Sequence, residues 1–200
     1  VPWIDNGVYC GIAMGAIVEP LLKEDGQPYT AAVLIPTINN AEELEIVLER
    51  LSKQTYPHFE VVISDSKSKD HTKQVCEKYG ATWLDDSSNN RADACNFALR
   101  QMDHDLVLFT DDDTIPPLDW VEKLIRWFED LEVGAVGGPN FAPDDDSFGA
   151  KCADVAFCTK FMTAGTRYGA QPKGELVPIS HNPGVNLSLI HISEPTRRSM

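Results

Sequence analysis

Long apolar runs, closely spaced cysteines and positive charge are all scarce in this 200-residue sequence, and each scarcity excludes a class of protein. No stretch of about twenty apolar residues occurs, so nothing in the sequence predicts a membrane-spanning helix. The 17 Lys and Arg residues stand against 31 Asp and Glu, a net charge of −14, which disfavours nucleic acid or an anionic membrane as an electrostatic partner. No G-x-G-x-x-G follows the first predicted strand, which disfavours a dinucleotide cofactor.

The cysteines are few and widely spread, and they form no C-x-x-C pair, which argues against a structural zinc site. They are Cys10, Cys76, Cys95, Cys152 and Cys158. Cys95 falls on the apolar face of a predicted helix. We therefore expect reduced thiols packed in the core of a cytoplasmic protein. A location at the inner face of the cell membrane, reached through segments outside this sequence, stays open for the full-length protein.

Three consecutive aspartates, Asp111, Asp112 and Asp113, follow the apolar run Leu106–Phe109. The run predicts a fully buried strand, because it is short and shows no alternation. If the backbone stays extended, Asp111 and Asp113 point to one side and Asp112 to the other. Carboxylates this close repel each other, and a hard divalent cation with a preference for oxygen ligands would relieve the repulsion. The alternative is a solvated acidic turn.

From Thr30 onward, apolar strand-like segments alternate with amphipathic helix-like segments, which predicts an α/β fold: a mostly parallel sheet with helices on both faces. The predicted strands are Ala31–Ile35, ended by Pro36, then Phe59–Ile63, Ala81–Leu84, Leu106–Phe109 and Val133–Val136. The predicted helices are one capped by Asn39 or Asn40 with Leu44, Val47, Leu48 and Leu51 on its apolar face, then Thr72–Tyr79 closed by Gly80, Arg91–Met102 and Leu118–Leu131.

Four motifs, taken in order, resemble the family 2 glycosyltransferases, which have the nucleotide-diphospho-sugar transferase (GT-A) fold. They are Val33–Asn40 (VLIPTINN), Gln54–Pro57 (QTYP) with Glu60–Asp70, Asn90–Asn96 (NRADACN) and Phe109–Asp113 (FTDDD), the last similar to the family's D-x-D metal motif. Each motif alone is weakly specific, whereas their order and spacing are specific. The resemblance implies a GT-A, Rossmann-like sheet followed by an irregular acceptor-side extension.

The resemblance also implies site residues. Donor binding would involve Pro36, Thr37, Asn39, Asp65, Ser66, Arg91 and Asp112; Asp111 and Asp113 would hold Mn²⁺ or Mg²⁺; His181 and Asn186 would lie on the acceptor side. The implied donor is a UDP- or GDP-sugar, the implied acceptor a glycan or lipid-linked glycan, and the implied reaction an inverting transfer in surface glycan or glycolipid synthesis. Simple structural roles compete: Arg91 could cap its helix or pair with Asp85 or Asp86, and His181 could be an ordinary loop residue.

We expect four parts along the chain: an N-terminal extension (1–29), a nucleotide-sugar-binding α/β half (30–140), the start of an acceptor-binding region (141–186) and a tail (187–200). Gly7–Val18 predicts a packing helix or strap rather than part of a membrane span, and Lys151–Met162 is helix-like. The tail resembles translated adapter sequence, so we expect it to be a non-native read-through that takes no part in the fold. The catalytic base would then lie beyond this sequence.

Two departures from the family pattern bear on the donor. Ser66 stands where the family commonly has a second acidic residue, and Lys67 stands where it has glycine. These changes leave the nucleotide base open. Two other functions compete: a sugar nucleotidyltransferase, disfavoured because Thr37–Asn40 has neither glycine nor charge, and a non-catalytic sugar-nucleotide or metal-binding module. Asp70 is expected to be a helix cap. Trp120 and Trp127 are expected in the core.

Overall fold

The computed structural model describes residues 19–23, 25–88, 90–130, 133–137, 147–157 and 187–190. Its strands are β1 (Ala31–Thr37), β2 (Glu60–Asp65), β3 (Thr82–Asp85), β4 (Leu106–Phe109), β5 (Ala135–Gly137) and β6 (Leu187–Ile190). Its helices are α1 (Ala41–Leu51), α2 (Thr72–Tyr79), α3 (Arg91–Leu99), α4 (Trp120–Ile125), continued by a 3-10 helix (Arg126–Glu129), and α5 (Phe148–Phe157). Within this part of the chain the six strands form one sheet in the order β3-β2-β1-β4-β6-β5.

The sheet is mostly parallel, as predicted. β1 pairs in parallel with both β2 and β4, and β2 pairs in parallel with β3, while β6 runs antiparallel between β4 and β5. The helices that follow β1, β2 and β3 return the chain to the start of the next strand, so the carboxyl ends of β1 to β4 lie at a single edge of the sheet. We call this edge, formed by the ends of β1 to β4 and the loops that follow them, the carboxyl edge.

Pro36 does not end the first strand, so that prediction is wrong. The Leu34 carbonyl accepts a hydrogen bond from the Thr110 amide at 3.3 Å, whereas the Thr37 carbonyl accepts one from Ser66 at 2.9 Å, which shows that even-numbered backbone groups of β1 face β4. The register of β1 with β4 ends at Leu34 paired with Phe109. The Pro36 nitrogen, which has no hydrogen to donate, therefore faces the region beyond the end of β4. No hydrogen bond between the two strands is lost there.

Helices cover both faces of the sheet, as predicted. Alternate residues of a strand point to opposite faces, and in β1 Val33 and Ile35 join a core with α1, α2 and α4, while Ala32 and Leu34 join a second core with α3. Trp120 is buried, and Trp127 packs partly buried against the first core, so their predicted core positions are confirmed. Each fully buried Leu or Ile adds about 1.5–3 kcal/mol of transfer free energy.

The predicted helix 91–102 ends earlier, at Leu99, although Met102 is buried beyond that end. The apolar stripe therefore continues beyond the helix into the turn that follows. The predicted helix 118–131 begins at Trp120 and tightens to a 3-10 helix at Arg126. Tertiary packing sets these ends, which apolar spacing alone locates only to within a few residues.

Asn40 occupies the N-cap position of α1, one of the two predicted alternatives, but its side chain makes no capping hydrogen bond. The cap comes from a distant loop: Asp70 Oδ2 accepts from the Ala41 amide at 3.0 Å, and Asp70 Oδ1 accepts from the Thr72 amide at 3.1 Å. The predicted role of Asp70 as a cap is confirmed, and it serves α1 as well as α2. The predicted helix 72–79 is also confirmed, with Gly80 closing it at φ 69°.

Cys76 and Cys95 are buried free thiols, and burial raises the pKa of Cys76 to about 12, which keeps it a neutral packing residue. Cys152 is exposed on α5, so the expectation of a core thiol is wrong there. Cys10 and Cys158 lie outside the described residues.

No helix in the described ranges is long and apolar enough to cross a membrane. Gly7–Val18 lies outside those ranges. The predicted helix 151–162 corresponds to α5 at Phe148–Phe157, and its remaining residues are likewise outside.

The start of the tail takes part in the sheet, as β6. The expectation that residues 187–190 have no place in the fold is therefore wrong. The physical reason is that Leu187–Ile190 is a short, mostly apolar segment, and the free edge of β4 offers unpaired backbone groups to such a segment. The division of the chain into four parts, and the origin of the tail, stay predictions.

Candidate functional site

Hydrogen bonds join the ends of β4, β1, β2 and β3 into one line along the carboxyl edge. Thr37 Oγ1 donates to Asp112 Oδ2 at 2.5 Å, the Ser66 amide donates to the Thr37 carbonyl at 2.9 Å, and Ser66 Oγ donates to Asp86 Oδ2 at 3.4 Å. We call the series Asp112, Thr37, Ser66 and Asp86 the edge chain. Open α/β sheets bind ligands at this edge, and the edge chain fixes the side chains there relative to one another.

The Arg91 side chain, at the start of α3, reaches the first aspartate of the triplet. Arg91 Nε donates to Asp111 Oδ1 at 2.7 Å, and the two side chains are 42% and 29% exposed. Of the alternatives weighed for Arg91, neither Asp85 nor Asp86 is its partner in the described residues. Burial raises the pKa of the Asp111 carboxyl; the Arg91 guanidinium lowers it, and the neighbouring Asp113 and Asp112 raise it. The net direction is upward.

The aspartate triplet forms a turn and not an extended segment, so the predicted alternation of its side chains is wrong. Thr114 Oγ1 donates to the Asp111 carbonyl at 3.0 Å and shares a hydrogen bond of 2.7 Å with Thr110 Oγ1. These threonines turn the chain directly after β4. Asp113 is exposed at this turn, and within the described residues its carboxylate has no hydrogen bond or ion pair.

The oxygen atoms of the triplet suit a divalent cation that keeps other ligands as well. Arg91 occupies one oxygen of Asp111 and Thr37 occupies one oxygen of Asp112, which leaves the second oxygen of each and both oxygens of Asp113. No group of three His, Cys, Asp or Glu side chains converges into a metal cage in the part of the chain that the structure describes. Mg²⁺-type ions are commonly held by only one or two carboxylates plus phosphate and water.

Asp65, a predicted donor contact, is 2% exposed and organises the loop after β2. Its Oδ1 accepts from the Ser68 amide at 2.9 Å and from Ser68 Oγ at 2.5 Å, and its Oδ2 accepts from Trp83 Nε1 at 2.9 Å. Both carboxylate oxygens thus bind protein donors. The structure places Asp65 at the carboxyl edge, beneath its surface, and a direct contact with a nucleotide stays a prediction.

Asn39, another predicted donor contact, ties the loop after β1 to the loop after β2. Its amide donates to Ser68 Oγ at 2.7 Å, and its Oδ1 accepts from the Lys69 amide at 2.7 Å. Asn39 and Lys67 have positive φ angles, 51° and 60°, which cost non-glycine residues about 1 kcal/mol each. These two hydrogen bonds join the loop after β1 to the loop after β2, close to Thr37.

Sequence reasoning missed two members of the site. Asp86 is the first residue after β3, so it lies at the carboxyl end of a strand, and that position was the available signal. Trp83 gave no signal, because its indole contact with Asp65 depends on the pairing of β2 with β3. Pro36 and Thr37 lie at the carboxyl edge, and their contact with a donor stays a prediction. His181 and Asn186 lie outside the described residues.

One recess of about 490 Å³ lies at the opposite edge of the sheet, lined by residues that include Leu51, Tyr56, Phe59 and Tyr79. It contains none of the predicted site residues. The polar chemistry described above is confined to the carboxyl edge, which is where we place the site.

Comparison with known proteins identifies the family of the chain. A family model for glycosyl transferase family 2 matches residues 32–182. The chain is 28% identical to the glycosyltransferase AglE of Haloferax volcanii over 115 residues, 54% of this chain and 38% of AglE. It is 36% identical to the poly(ribitol-phosphate) β-N-acetylglucosaminyltransferase TarS of Staphylococcus aureus over 100 residues, 46% of this chain and 17% of TarS.

Two solved structures share the fold. The mannosyltransferase PcManGT from Pyrobaculum calidifontis, in complex with GDP-Man and Mn²⁺, superposes with a TM-score of 0.52 and 31% identity over 57% of this chain and 36% of its own. The structure of S. aureus TarS 1–349 in complex with UDP-GlcNAc superposes with a TM-score of 0.53 and 25% identity over 59% of this chain and 36% of its own. Each match spans less than half of the relative. Because the family model covers more than half of this chain and the fold agrees, the chain belongs to glycosyl transferase family 2.

Proposed function

We propose that this chain carries the donor-binding half of an inverting, divalent-metal-dependent glycosyltransferase that moves a sugar from a nucleoside diphosphate to an acceptor hydroxyl. The observation that supports this most strongly is the Arg91–Asp111 ion pair beside the exposed Asp113 carboxylate, at the end of β4. A cation and unpaired carboxylate oxygens thus lie side by side at the edge where open α/β sheets bind ligands.

The oxygens of Asp111 and Asp113 would hold Mn²⁺ or Mg²⁺. When bound, such an ion neutralises the negative charge that develops on the departing diphosphate as the sugar–phosphate bond breaks. This requirement is acute here, because the net charge of −14 would otherwise repel a diphosphate.

The protein's own groups contribute position and charge. Among the described residues Arg91 uses only Nε to hold Asp111, so its terminal nitrogens can face a phosphate oxygen. Thr37 fixes Asp112 through its hydroxyl and fixes Ser66 through its carbonyl. The side chains that would surround the donor are therefore held in place before it binds, which lowers the entropic cost of binding.

The donor we propose is a UDP- or GDP-sugar, since the solved relatives contain UDP-GlcNAc in one case and GDP-Man with Mn²⁺ in the other. For the acceptor we propose a glycan or lipid-linked glycan, used in surface glycan or glycolipid synthesis on the cytoplasmic side. A carboxylate base would accept the proton of the acceptor hydroxyl. His181 and Asn186 stay acceptor-side predictions.

Calorimetry with UDP and GDP, each with and without Mn²⁺, tests the proposal. We expect one nucleotide to bind in the presence of Mn²⁺ and to weaken at least tenfold without it or in Asp113→Ala. The matched control is Glu129→Ala, which removes an exposed carboxylate from the 3-10 helix and should leave binding unchanged.

Three outcomes are informative. Binding that is independent of Mn²⁺ contradicts the role of the triplet. Binding that needs Mn²⁺, followed by transfer from a nucleotide-sugar, supports the enzyme. Binding that needs Mn²⁺ without any transfer, in a chain extended to the full length of its relatives, would favour the non-catalytic module.

A further inference from the structure

The segment that follows the aspartate triplet is held at its far end by a glutamine from a distant motif. Residues 114–119, which we call the connector, lead from the turn after β4 to the start of α4. Gln54, in the loop between α1 and β2, donates from Nε2 to the Pro117 carbonyl at 2.7 Å. Its Oε1 accepts from the Val121 amide at 3.0 Å, which caps the first turn of α4. One side chain thus binds both the connector and the helix that follows it.

Thr55 adds two further bonds at the same place. Its amide donates to the Leu118 carbonyl at 2.8 Å, and its Oγ1 donates to Glu122 Oε2 at 2.8 Å. Glu122 is 5% exposed, and a buried carboxylate is costly unless donors reach it. The loop between α1 and β2 therefore fixes the end of the connector through backbone and side-chain bonds together.

The connector has little conformational freedom of its own. At its start, Thr114 Oγ1 donates to the Asp111 carbonyl at 3.0 Å. Pro116 and Pro117 follow, and their rings fix φ at about −65°. The backbone of Ile115 is restricted as well, because it precedes a proline. A stiff segment transmits a displacement, so a change at the α4 end of the connector should reach the turn after β4.

Among the three aspartates, Asp113 depends most on the connector. Arg91 holds Asp111 through a side-chain bond. Thr37 does the same for Asp112. The exposed Asp113 carboxylate has no hydrogen bond or ion pair within the described residues, so the backbone on either side sets its position. On the downstream side that backbone is the connector.

Resting on the proposed function, we infer that Gln54 is a positioning residue of the metal site. By anchoring the far end of the connector, it holds Asp113 beside Asp111, so that a divalent cation meets both carboxylates already in place. A carboxylate that has to be ordered on binding lowers affinity. Loss of Gln54 should therefore weaken the contribution of the metal to nucleotide binding and leave the contacts of the nucleotide itself unchanged.

Two substitutions separate the helix cap from the grip on the connector. Gln54→Met keeps the length of the side chain and removes both of its hydrogen bonds. Gln54→Glu still accepts from the Val121 amide, but an ionised carboxylate cannot donate to the Pro117 carbonyl. In urea unfolding, Gln54→Glu should therefore be more stable than Gln54→Met, while both lose the bond to the connector.

Calorimetry with UDP and GDP, each with and without Mn²⁺, measures the effect on the metal site. The quantity of interest is the ratio of the affinities with and without Mn²⁺. This ratio should fall about tenfold in Gln54→Met, because a small displacement of a binding group is enough for such a loss. It should also fall in Gln54→Glu. Affinity without Mn²⁺ should change less than about twofold in either variant.

A second measurement needs neither metal nor nucleotide. The backbone amide signals of residues 112–114 in NMR spectra of the chain report the state of the turn directly. We expect these signals to shift or broaden in both Gln54 variants, because the connector no longer holds the turn from its far end.

Two controls on α2 isolate the effect. Gln74→Met makes the same change at an exposed position, and Val75→Ala destabilises the core without touching the connector. Neither should change the Mn²⁺ ratio or the amide signals of residues 112–114.

The outcomes distinguish the inference from the proposed function. If Gln54→Glu, which keeps the helix cap, leaves both the Mn²⁺ ratio and the amide signals unchanged, the inference is overturned, even if Gln54→Met fails to fold. It is also overturned if Val75→Ala produces the same losses. If the unaltered chain binds neither nucleotide with Mn²⁺, the proposed function is overturned, and the amide signals still decide whether Gln54 positions the turn.

Discussion

The Arg91 guanidinium bonds to the Asp111 carboxylate at 2.7 Å, which joins the first residue of α3 to the turn after β4. The two residues come from separate motifs, twenty positions apart in the sequence. Their contact brings a permanent positive charge to a partly buried carboxylate whose pKa is raised by burial and by Asp113 and Asp112.

Replacing Arg91 should shift the pH dependence of metal binding. Arg91 lowers the pKa of Asp111, so Arg91→Gln should raise that pKa further. Protons compete with the metal for the carboxylate, and Mn²⁺-dependent nucleotide binding should therefore lose affinity at a higher pH than in the unaltered chain. Calorimetry between about pH 5 and 8 measures the midpoint.

Two further substitutions sharpen this test. Arg91→Lys keeps the charge and should shift the midpoint less. Arg100→Gln removes a charge beyond the other end of α3 and should not shift it. An unchanged midpoint in Arg91→Gln would contradict the role given to the ion pair.

Thr37→Val should destabilise the fold through the loss of one hydrogen bond. The hydroxyl donates to Asp112 at 2.5 Å, and Thr37 is 5% exposed, so valine would fill its volume and leave the carboxylate oxygen without this donor. A hydrogen bond to a charged group contributes about 1.5–3 kcal/mol. Since Asp112 is only partly buried and water can replace the donor, we expect a loss of about 1 kcal/mol in urea unfolding. Thr82→Val, at an exposed position of β3, should lose less than about half of that.

Asp70→Ala should cost about 2 kcal/mol, at the upper end for a single capping residue, because Asp70 caps two helices. Burial raises the pKa of Asp70, but hydrogen bonds from Thr72 and Ala41 outweigh it, and the net pKa is lowered. A carboxylate with a lowered folded pKa adds stability above its unfolded pKa, which is about 3.9. That stability is lost as the pH falls through the folded pKa.

The difference in unfolding free energy between the unaltered chain and Asp70→Ala should therefore be largest near neutral pH and shrink in acid. Urea titrations at several pH values measure it. A difference that grows in acid would show that the ionised carboxylate is not the capping group.

Asp65→Asn should destabilise the fold more than its nearly identical shape suggests. A carboxamide has one acceptor oxygen, yet Ser68 and Trp83 present donors to both oxygens of Asp65. One NH₂ must then face an N–H or O–H, at a cost of about 1–3 kcal/mol. In a double-mutant cycle with Trp83→Phe, the losses should be less than additive, because the phenyl ring removes one of the opposing donors. Additive losses would contradict the contact.

The sequence predicted those elements whose local pattern is unambiguous. Leu106–Phe109 is a buried strand because nothing polar interrupts it, and α2 ends at Gly80 because glycine adopts the left-handed conformation at a helix end. Elements set by tertiary contacts were not predictable. The side-chain cap of α1 comes from Asp70, which lies 29 residues after the capped amide of Ala41. The sequence at Asn39 and Asn40 does not predict this contact.

In the site, too, some features were predictable from the sequence and others were not. The aspartate triplet and Arg91 stand out as charged residues after a strand and before a helix, and the structure brings them together. Their geometry did not follow from the sequence, since the threonine-stabilised turn replaces the extended segment. Asp86 was missed as a site residue because its relation to Ser66 depends on the register of β3 against β2.

The edge chain also has a consequence for ligand size. Thr37 holds Asp112 by its side chain and Ser66 by its backbone, so a single stiff strand sets the gap between the acidic turn and the Ser66 hydroxyl. Under the proposed function, β1 sets the distance between the turn that would hold the phosphates and the Ser66 hydroxyl. We therefore expect the preferred ligand to be one that contacts both positions at once across β1, as an extended nucleoside diphosphate can.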